Sequence, residues 1–271
     1  MEKNLCLSPA EISRSLAEIG EKKATAPLLD LFLSGILAGI YIGFGAAVAT
    51  TVLGGGTLDP GLAKFLAGSV FSVGLMLVLI PGAELFTGNI LMVIGFFNKK
   101  YRFGKVLRNW VVVWLGNFVG GLLLALLVFH SGLIALGPAS GYSSGLMAVK
   151  IAESKLALNF VQGFTRGVLC NMLVCLAVIM CIASRTATGK ILGIYFPIMV
   201  FVASGYEHSI ANMYFLPAGL LAAGRLLPDF WKIFHNLIPV TLGNIVGGLA
   251  IILLHPKTKE RLIPKDRKRE E

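Results

Sequence analysis

The sequence predicts an all-α membrane protein of six transmembrane helices, arranged as an inverted three-plus-three repeat in which the second and fifth helices are broken. Three observations carry that expectation. Hydrophobic residues make up 56% of the 271 and charged residues only 14%, with a mean hydropathy of +0.80, whereas soluble domains carry roughly 25% charged residues. The apolar residues fall into runs long enough to cross ~30 Å of hydrocarbon as helices. Finally, one of those runs and the break element each occur twice in the chain.

Apolar runs between charged punctuation place spans at 28–53, 62–98, 108–130, 156–184, 191–224 and 236–255. The second and fifth are too long for simple crossings. One holds Pro81, Gly82 and Glu84 at its middle and the other Gly205, Glu207 and His208. Backbone freed from helical hydrogen bonding at membrane depth survives only where protein buries it or water reaches it, so both breaks must face inward.

The first 27 residues carry Arg14, Lys22 and Lys23 among several acids and no apolar core, so they read as neither signal peptide nor leader, and the first span is expected to direct its own insertion. Ser8-Pro9-Ala10-Glu11 has the form of a capping box with Pro at the first helical position, and Ile12, Leu16 and Ile19 recur on one face. An amphipathic helix at the cytoplasmic surface follows, either a simple anchor or a gate. The net charge of +10 sits between and after the apolar runs. It forms no patch with interleaved aromatics, so nucleic acid is not an expected partner. The acid-free cluster Lys99, Lys100, Arg102, Lys105 and Arg108, with seven further cations between Lys257 and Arg269, places both termini in the cytoplasm of a cell-membrane protein. The expected organisation is a cytoplasmic arm at 1–27, a transmembrane domain at 28–255 with halves near 28–130 and 156–255, and a basic tail at 256–271. Cys6, Cys170, Cys175 and Cys181 lack any metal-ligand or redox spacing and read as small apolar side chains.

The repeat is visible without an alignment of relatives. Segment 109–127 matches 236–254 at eleven of nineteen positions, including Leu115-Gly116-Asn117 with Leu242-Gly243-Asn244 and Gly120-Gly121 with Gly247-Gly248. Gly82, Glu84 and Asn89 share the pattern G-x-E-x-x-x-small-N with Gly205, Glu207 and Asn212. Three spans are an odd number, so the second half enters the membrane in the opposite sense. Such folds bring their two broken helices together near the midplane to form the substrate site.

Ionisable residues inside a membrane are costly and mark function by default. His208 lies in the second break, where an imidazole could donate to an anion or exchange a proton, and its place in a duplicated element favours function over a structural role. Glu84 and Glu207 read as structural clamps accepting from the backbone N–H groups of the unwound turns, since an exposed carboxylate would repel an anion. Thr87 offers a hydroxyl after the first break, as a ligand or as a helix cap. Lys155 stands before the fourth span, where it could draw anions to a pore mouth or simply snorkel. Its loss is expected to weaken attraction and leave assembly intact. Asn171 is a pore-lining amide candidate, and Arg166 reads as a helix or subunit contact. No nucleotide loop, paired catalytic acids, nucleophile-plus-base spacing or metal cluster is present, so an enzyme, a cofactor and ATP-driven pumping are not expected.

Three stretches together resemble the formate/nitrite transporter family: Gly82-Ala83-Glu84-Leu85-Phe86-Thr87-Gly88-Asn89, Cys170-Asn171-Met172-Leu173-Val174-Cys175, and Ala203 through Asn212 with Gly205-Tyr206-Glu207-His208 at its centre. The resemblance runs from about residue 8 to residue 255. It implies a homopentamer in the lipid bilayer whose protomers have an aquaporin-like fold and a pore each. It also implies that His208 and Thr87 form the central site, that Lys155 is the vestibule lysine, and that apolar constrictions lie at Phe71, Leu75 and Phe201 outside and at Leu85, Phe86 and Val174, with Asn171, inside. The implied cargo is a small monovalent anion, a monocarboxylate or an inorganic ion, crossing as or near its neutral acid. Formate is favoured because Tyr214 through Gly219 look more like formate members, while nitrite and hydrosulfide remain alternatives and Arg166 sits where some nitrite-type members carry a cation. A neutral-solute channel of the aquaporin class should show two Asn-Pro-Ala turns, and neither break has one. A membrane scaffold without flux would suit the basic tail but leaves the duplicated breaks without purpose.

Overall fold

The structure is a computed structural model that describes residues 5–56, 58–134 and 142–254; the basic tail lies outside them. Described residues are helical apart from turns and one antiparallel bridge between Cys6 and Ser184. Helix α1 spans Pro9–Thr25, α2 Leu28–Gly54, α3 Pro60–Leu79, α4 Phe86–Phe97, α5 Phe103–His130, α6 Tyr142–Leu156, α7 Phe160–Ala183, α8 Ala187–Ala203, α9 Ser209–Ala222 and α10 Lys232–Leu254. Five of these, α2, α3, α5, α7 and α10, are long and apolar enough to cross a membrane. The shorter apolar helices α4, α8 and α9 make up the rest of the two interrupted segments.

Local chemistry explains where these helices begin. The α1 capping box is complete: the Ser8 hydroxyl faces the Glu11 N–H, and the Glu11 carboxylate accepts from the Ser8 N–H at 2.8 Å. These bonds hold the Glu11 carboxyl below its usual range. Asn159 and Gln162 form a second box at the start of α7, and Asp59 caps α3. Both breaks turn on a glycine with positive φ, +100° at Gly82 and +74° at Gly205, a backbone region where a Cβ would clash.

Packing runs in two matching sets. Helix α2 lies along α3 and α5, as α7 lies along α8 and α10, and the sets meet where α3 packs on α8. Backbones approach closely at the duplicated glycines. A Cβ on Gly120 would stand 2.1 Å from the Ile36 carbonyl oxygen, and one on Gly247 would stand 2.1 Å from that of Val168. The outer surface is apolar: Leu107, Val111, Leu115, Val119, Leu123 and Leu127 form an exposed stripe along α5, and Ile238, Leu242 and Val246 repeat it on α10. Water would penalise such stripes, and lipid or a neighbouring subunit would not.

No helix is expected from the sequence between residues 130 and 156, yet α6 occupies most of that interval. Lys150, Glu153, Ser154 and Lys155 dilute its apolar pattern below that of a crossing segment. Helix α6 packs on α9 as α1 packs on α4. Two ion pairs confirm the match: Glu21 of α1 meets Lys100 at 3.3 Å and Glu153 of α6 meets Arg225 at 3.5 Å, each cation following the second helix of a broken pair. The matching elements thus begin with these surface helices, ahead of residues 28 and 156.

Gly120→Ala or Gly247→Ala should lower stability by at least ~2 kcal/mol, because the clashing atom is backbone and cannot rotate away. Gly104→Ala, whose new Cβ meets nothing within 4 Å, should be silent. The fraction of protein remaining monodisperse after graded heating, read by size-exclusion chromatography, checks both.

Candidate substrate site at the helix breaks

A break exposes backbone groups that helices otherwise satisfy, and here asparagines cover them. Asn117 of α5 accepts from the Phe86 N–H at 3.0 Å and donates to the carbonyls of Gly35 at 2.8 Å and Glu84 at 2.9 Å. Asn244 of α10 repeats the arrangement on the Ser209 N–H at 2.9 Å and the Gly167 and Glu207 carbonyls at 2.8 and 3.0 Å. Each side chain ties a break to two crossing helices through three bonds.

The glutamates at the breaks accept from side chains, which departs from the expectation of backbone donors. Lys23 of α1 meets Glu84 at 2.8 Å and also donates to Asn89 at 2.8 Å, while Asn89 donates to Glu84 at 2.7 Å and to Asn109 at 2.8 Å. In the other half Lys155 of α6 meets Glu207 at 2.8 Å, Asn212 donates to Glu207 at 2.6 Å and to Asn236 at 2.7 Å, and Asn236 donates to the Lys155 carbonyl at 2.9 Å. The backbone N–H groups of Glu84 and Glu207 turn to the Ser34 and Arg166 carbonyls instead. The reason is geometric: each carboxylate points toward its surface helix, which brings a lysine. Lys155 is therefore no independent cation at a mouth. Its side chain is 14% exposed, that of Glu207 is 5% exposed, and the ammonium also lies 5.2 Å from the Phe215 ring centre.

Between the two clamps lies the centre. His208 caps α9, its Nδ1 accepting from the Ala211 N–H at 3.1 Å. A nitrogen that accepts a hydrogen bond carries no proton, so the ring proton of the neutral imidazole resides on Nε2. Nε2 is 2.9 Å from the Thr87 Oγ and must donate to it. The Thr87 hydroxyl hydrogen is thereby left to point elsewhere. Asn171 of α7 donates to the Thr87 and Asn244 carbonyls at 3.2 and 2.7 Å, and its buried Oδ1 has no partner among the described residues. The Arg166 side chain is exposed and contributes only its carbonyl here.

Apolar side chains flank this centre. Phe201 stacks on His208 at 5.8 Å and Phe71 meets Phe201 edge-on at 5.6 Å, with Leu75 buried nearby on the Phe71 face of α3. On the other side Leu85 lines a cavity of about 450 Å³ walled by α1, the first break with α4, and α7, with Lys190 of α8 at its edge. Val174 is buried one turn after Asn171. Phe86 departs from its expected place: its ring packs edge-on against Trp110 and lines a separate apolar groove between α5 and α10.

The formate/nitrite transporter family model matches residues 10–256. The chain belongs to that family. A probable formate transporter of Methanothermobacter thermautotrophicus is 43% identical over 262 residues, covering 90% of this chain and 94% of that protein. The formate channel FocA of Escherichia coli K12 is 37% identical over 264 residues, covering 91% and 92%. Among solved structures, one described as an FNT family ion channel superposes with a TM-score of 0.76 at 32% identity, covering 91% of this chain and 95% of the other. A pentameric formate channel with formate bound superposes with a TM-score of 0.73 at 36% identity, covering 85% and 95%. The protein is a multi-pass membrane protein of a transporter family.

Sequence reasoning missed Lys23 and the roles of the asparagines at 89, 109, 117, 212, 236 and 244. The asparagines were visible in the duplicated segments, and Glu21-Lys22-Lys23 matches Glu153-Ser154-Lys155 as E-x-K.

Removing one member of a buried ion pair strands the other, at a cost of ~3–5 kcal/mol, whereas removing both spares most of it. Lys155→Met and Glu207→Gln should each reduce the yield of monodisperse protein, and the double variant should be markedly more stable than the sum of the single losses. Additive losses in a double-mutant cycle of melting midpoints would show that the pair is uncoupled.

Proposed function

We propose that this protein is a formate transporter of the cell membrane, not an enzyme, acting as a homopentamer with one pore through each protomer. In this reading α3 with α4, and α8 with α9, each make one traverse, giving six crossings with α1, α4 and both termini at the cytoplasmic face. The cation cluster at 99–108 supports that orientation.

The observation that carries the reading is the Thr87–His208 pair at 2.9 Å, buried between apolar side chains where two helix breaks meet. It offers an arriving carboxylate one hydroxyl donor and no fixed charge. A bare anion would lose its hydration among Phe71, Leu75, Phe201, Leu85 and Val174 at high cost. A formate that has gained a proton pays far less, and the Thr87 hydroxyl, which donates and also accepts, suits a carboxylic acid, which does both. The proton comes from solvent hydronium on the side of entry, so that no hydroxide is left in the apolar path, since protonating His208 at Nδ1 would set that N–H against the N–H of Ala211. Lys155, already neutralised by Glu207, acts at the outer vestibule through its remaining N–H donors more than through long-range attraction. Identities of 37 to 43% with proteins named as formate transporters support formate over nitrite or hydrosulfide.

Uptake of labelled formate into proteoliposomes tests the proposal. The rate should rise as external pH falls toward the range where formate gains protons, and should carry little net current. His208→Phe should remove about nine-tenths of flux or more at every substrate concentration, and Thr87→Val should cut it by about tenfold, the scale of one lost hydrogen bond at ~1.4 kcal/mol. A rate that follows anion concentration alone and carries a large current would overturn the neutral-acid route. Preference for nitrite or hydrosulfide in competition would reassign the cargo.

A further inference from the structure

The clamp residues occur once in each half and so reflect what the fold needs twice. Lys190 occurs once. It sits in the first turn of α8, half-buried, and lines the same 450 Å³ cavity as Lys23, Glu84 and Leu85. The Gly82–Gly205 match of the two breaks sets it against Ala67 of α3, an apolar residue; Lys64, one turn earlier on α3, is exposed and lines no such cavity among the described residues. Lys23 is neutralised by Glu84, and Arg185, a few residues earlier, pairs with Glu11 at 3.3 Å. The Lys190 ammonium meets no carboxylate within ion-pair distance among the described residues. Its charge is the unbalanced one on the cavity wall.

The positive-inside rule accounts for a cation in the 185–190 segment but not for one turned to the cavity wall. A concave cavity with low-dielectric walls focuses the field of a lone charge and concentrates counter-ions of the opposite sign. Leu85 and Gly88, on either side of Phe86 and Thr87 in the chain, are among the residues that line it.

We propose that Lys190 makes the inner cavity a collecting site for small monovalent anions, so that substrate presented from the α1 face is captured at lower concentration than from the opposite face. The inference rests on the anion-transport reading and adds to it a sidedness that the duplicated clamps do not supply. Lys190 acts on capture and does not touch the central pair.

Formate efflux and uptake in right-side-out and inside-out vesicles, at low and high ionic strength, test it. In wild type the half-saturating concentration at the α1 face should rise with salt more steeply than at the other face. Lys190→Gln should raise the α1-face value about two- to fivefold at low salt and the maximal rate from that face in the same proportion, because a passive path keeps their ratio equal at the two faces, leave the opposite face unchanged, and lose its difference from wild type at high salt. Lys190→Arg should restore the wild-type values. An unchanged α1-face value in Lys190→Gln, equal salt dependence at the two faces of wild type, or a salt-independent fall in maximal rate would each overturn the assignment. Wild-type vesicles that carry no formate would instead bring down the transport reading, and this inference with it.

Discussion

The structure depends on satisfying backbone polar groups where helices stop inside a membrane. An amide or carbonyl left bare in hydrocarbon costs several kcal/mol, and each break frees several of them. One asparagine from the third long helix of each half, Asn117 or Asn244, answers that cost with three bonds reaching the break and the first long helix. The glycine contacts at 120 and 247 allow the helices to come near enough for those bonds. With the breaks secured, the ends of α4 and α9 are held facing each other, and only then can Thr87 and His208 meet at 2.9 Å.

Around this centre the molecule separates charge from the path. The carboxylates of Glu84, half-buried, and Glu207, buried, turn away from the centre to lysines on α1 and α6, and both are bridged by asparagines. The middle is left with hydroxyl, imidazole and amide groups among phenylalanine and leucine side chains. On the proposed transport reading, such a site would discriminate by hydrogen bonding and protonation state instead of by net charge, since a fixed charge there would bind one ion tightly and slow its release. The clamps also join α1 and α6 to the breaks, so movement of either helix must disturb an ion pair at a break.

Much of this was legible in the sequence because it is written in local signals. Long apolar runs, two glycine-marked interruptions and the Ser8–Glu11 capping box each act over a few residues, and the structure contains the corresponding helices, breaks and cap. The surface helix α6 was not legible, because an amphipathic helix with Lys150, Glu153 and Lys155 lacks a membrane span's hydropathy. The partners of Glu84 and Glu207 were hidden for a different reason. A carboxylate beside an unwound turn has backbone donors close in sequence, and nothing local reveals that lysines 61 and 52 residues away compete for it.

By itself, the sequence determined that this is a helical membrane protein with two like halves and a histidine in one of two matched breaks, because hydropathy, helix interruption and internal duplication are properties of contiguous segments. Tertiary structure alone decided which way the side chains at the breaks turn. It sent Phe86 to Trp110 and Leu85 to the cavity, bound Lys155 to Glu207, placed the ring proton of His208 on Nε2, and left Lys190 at the cavity with no ion-pair partner among the described residues. Each of those outcomes is a choice among partners distant in sequence, set by the close approach of helices that only the assembled bundle brings together.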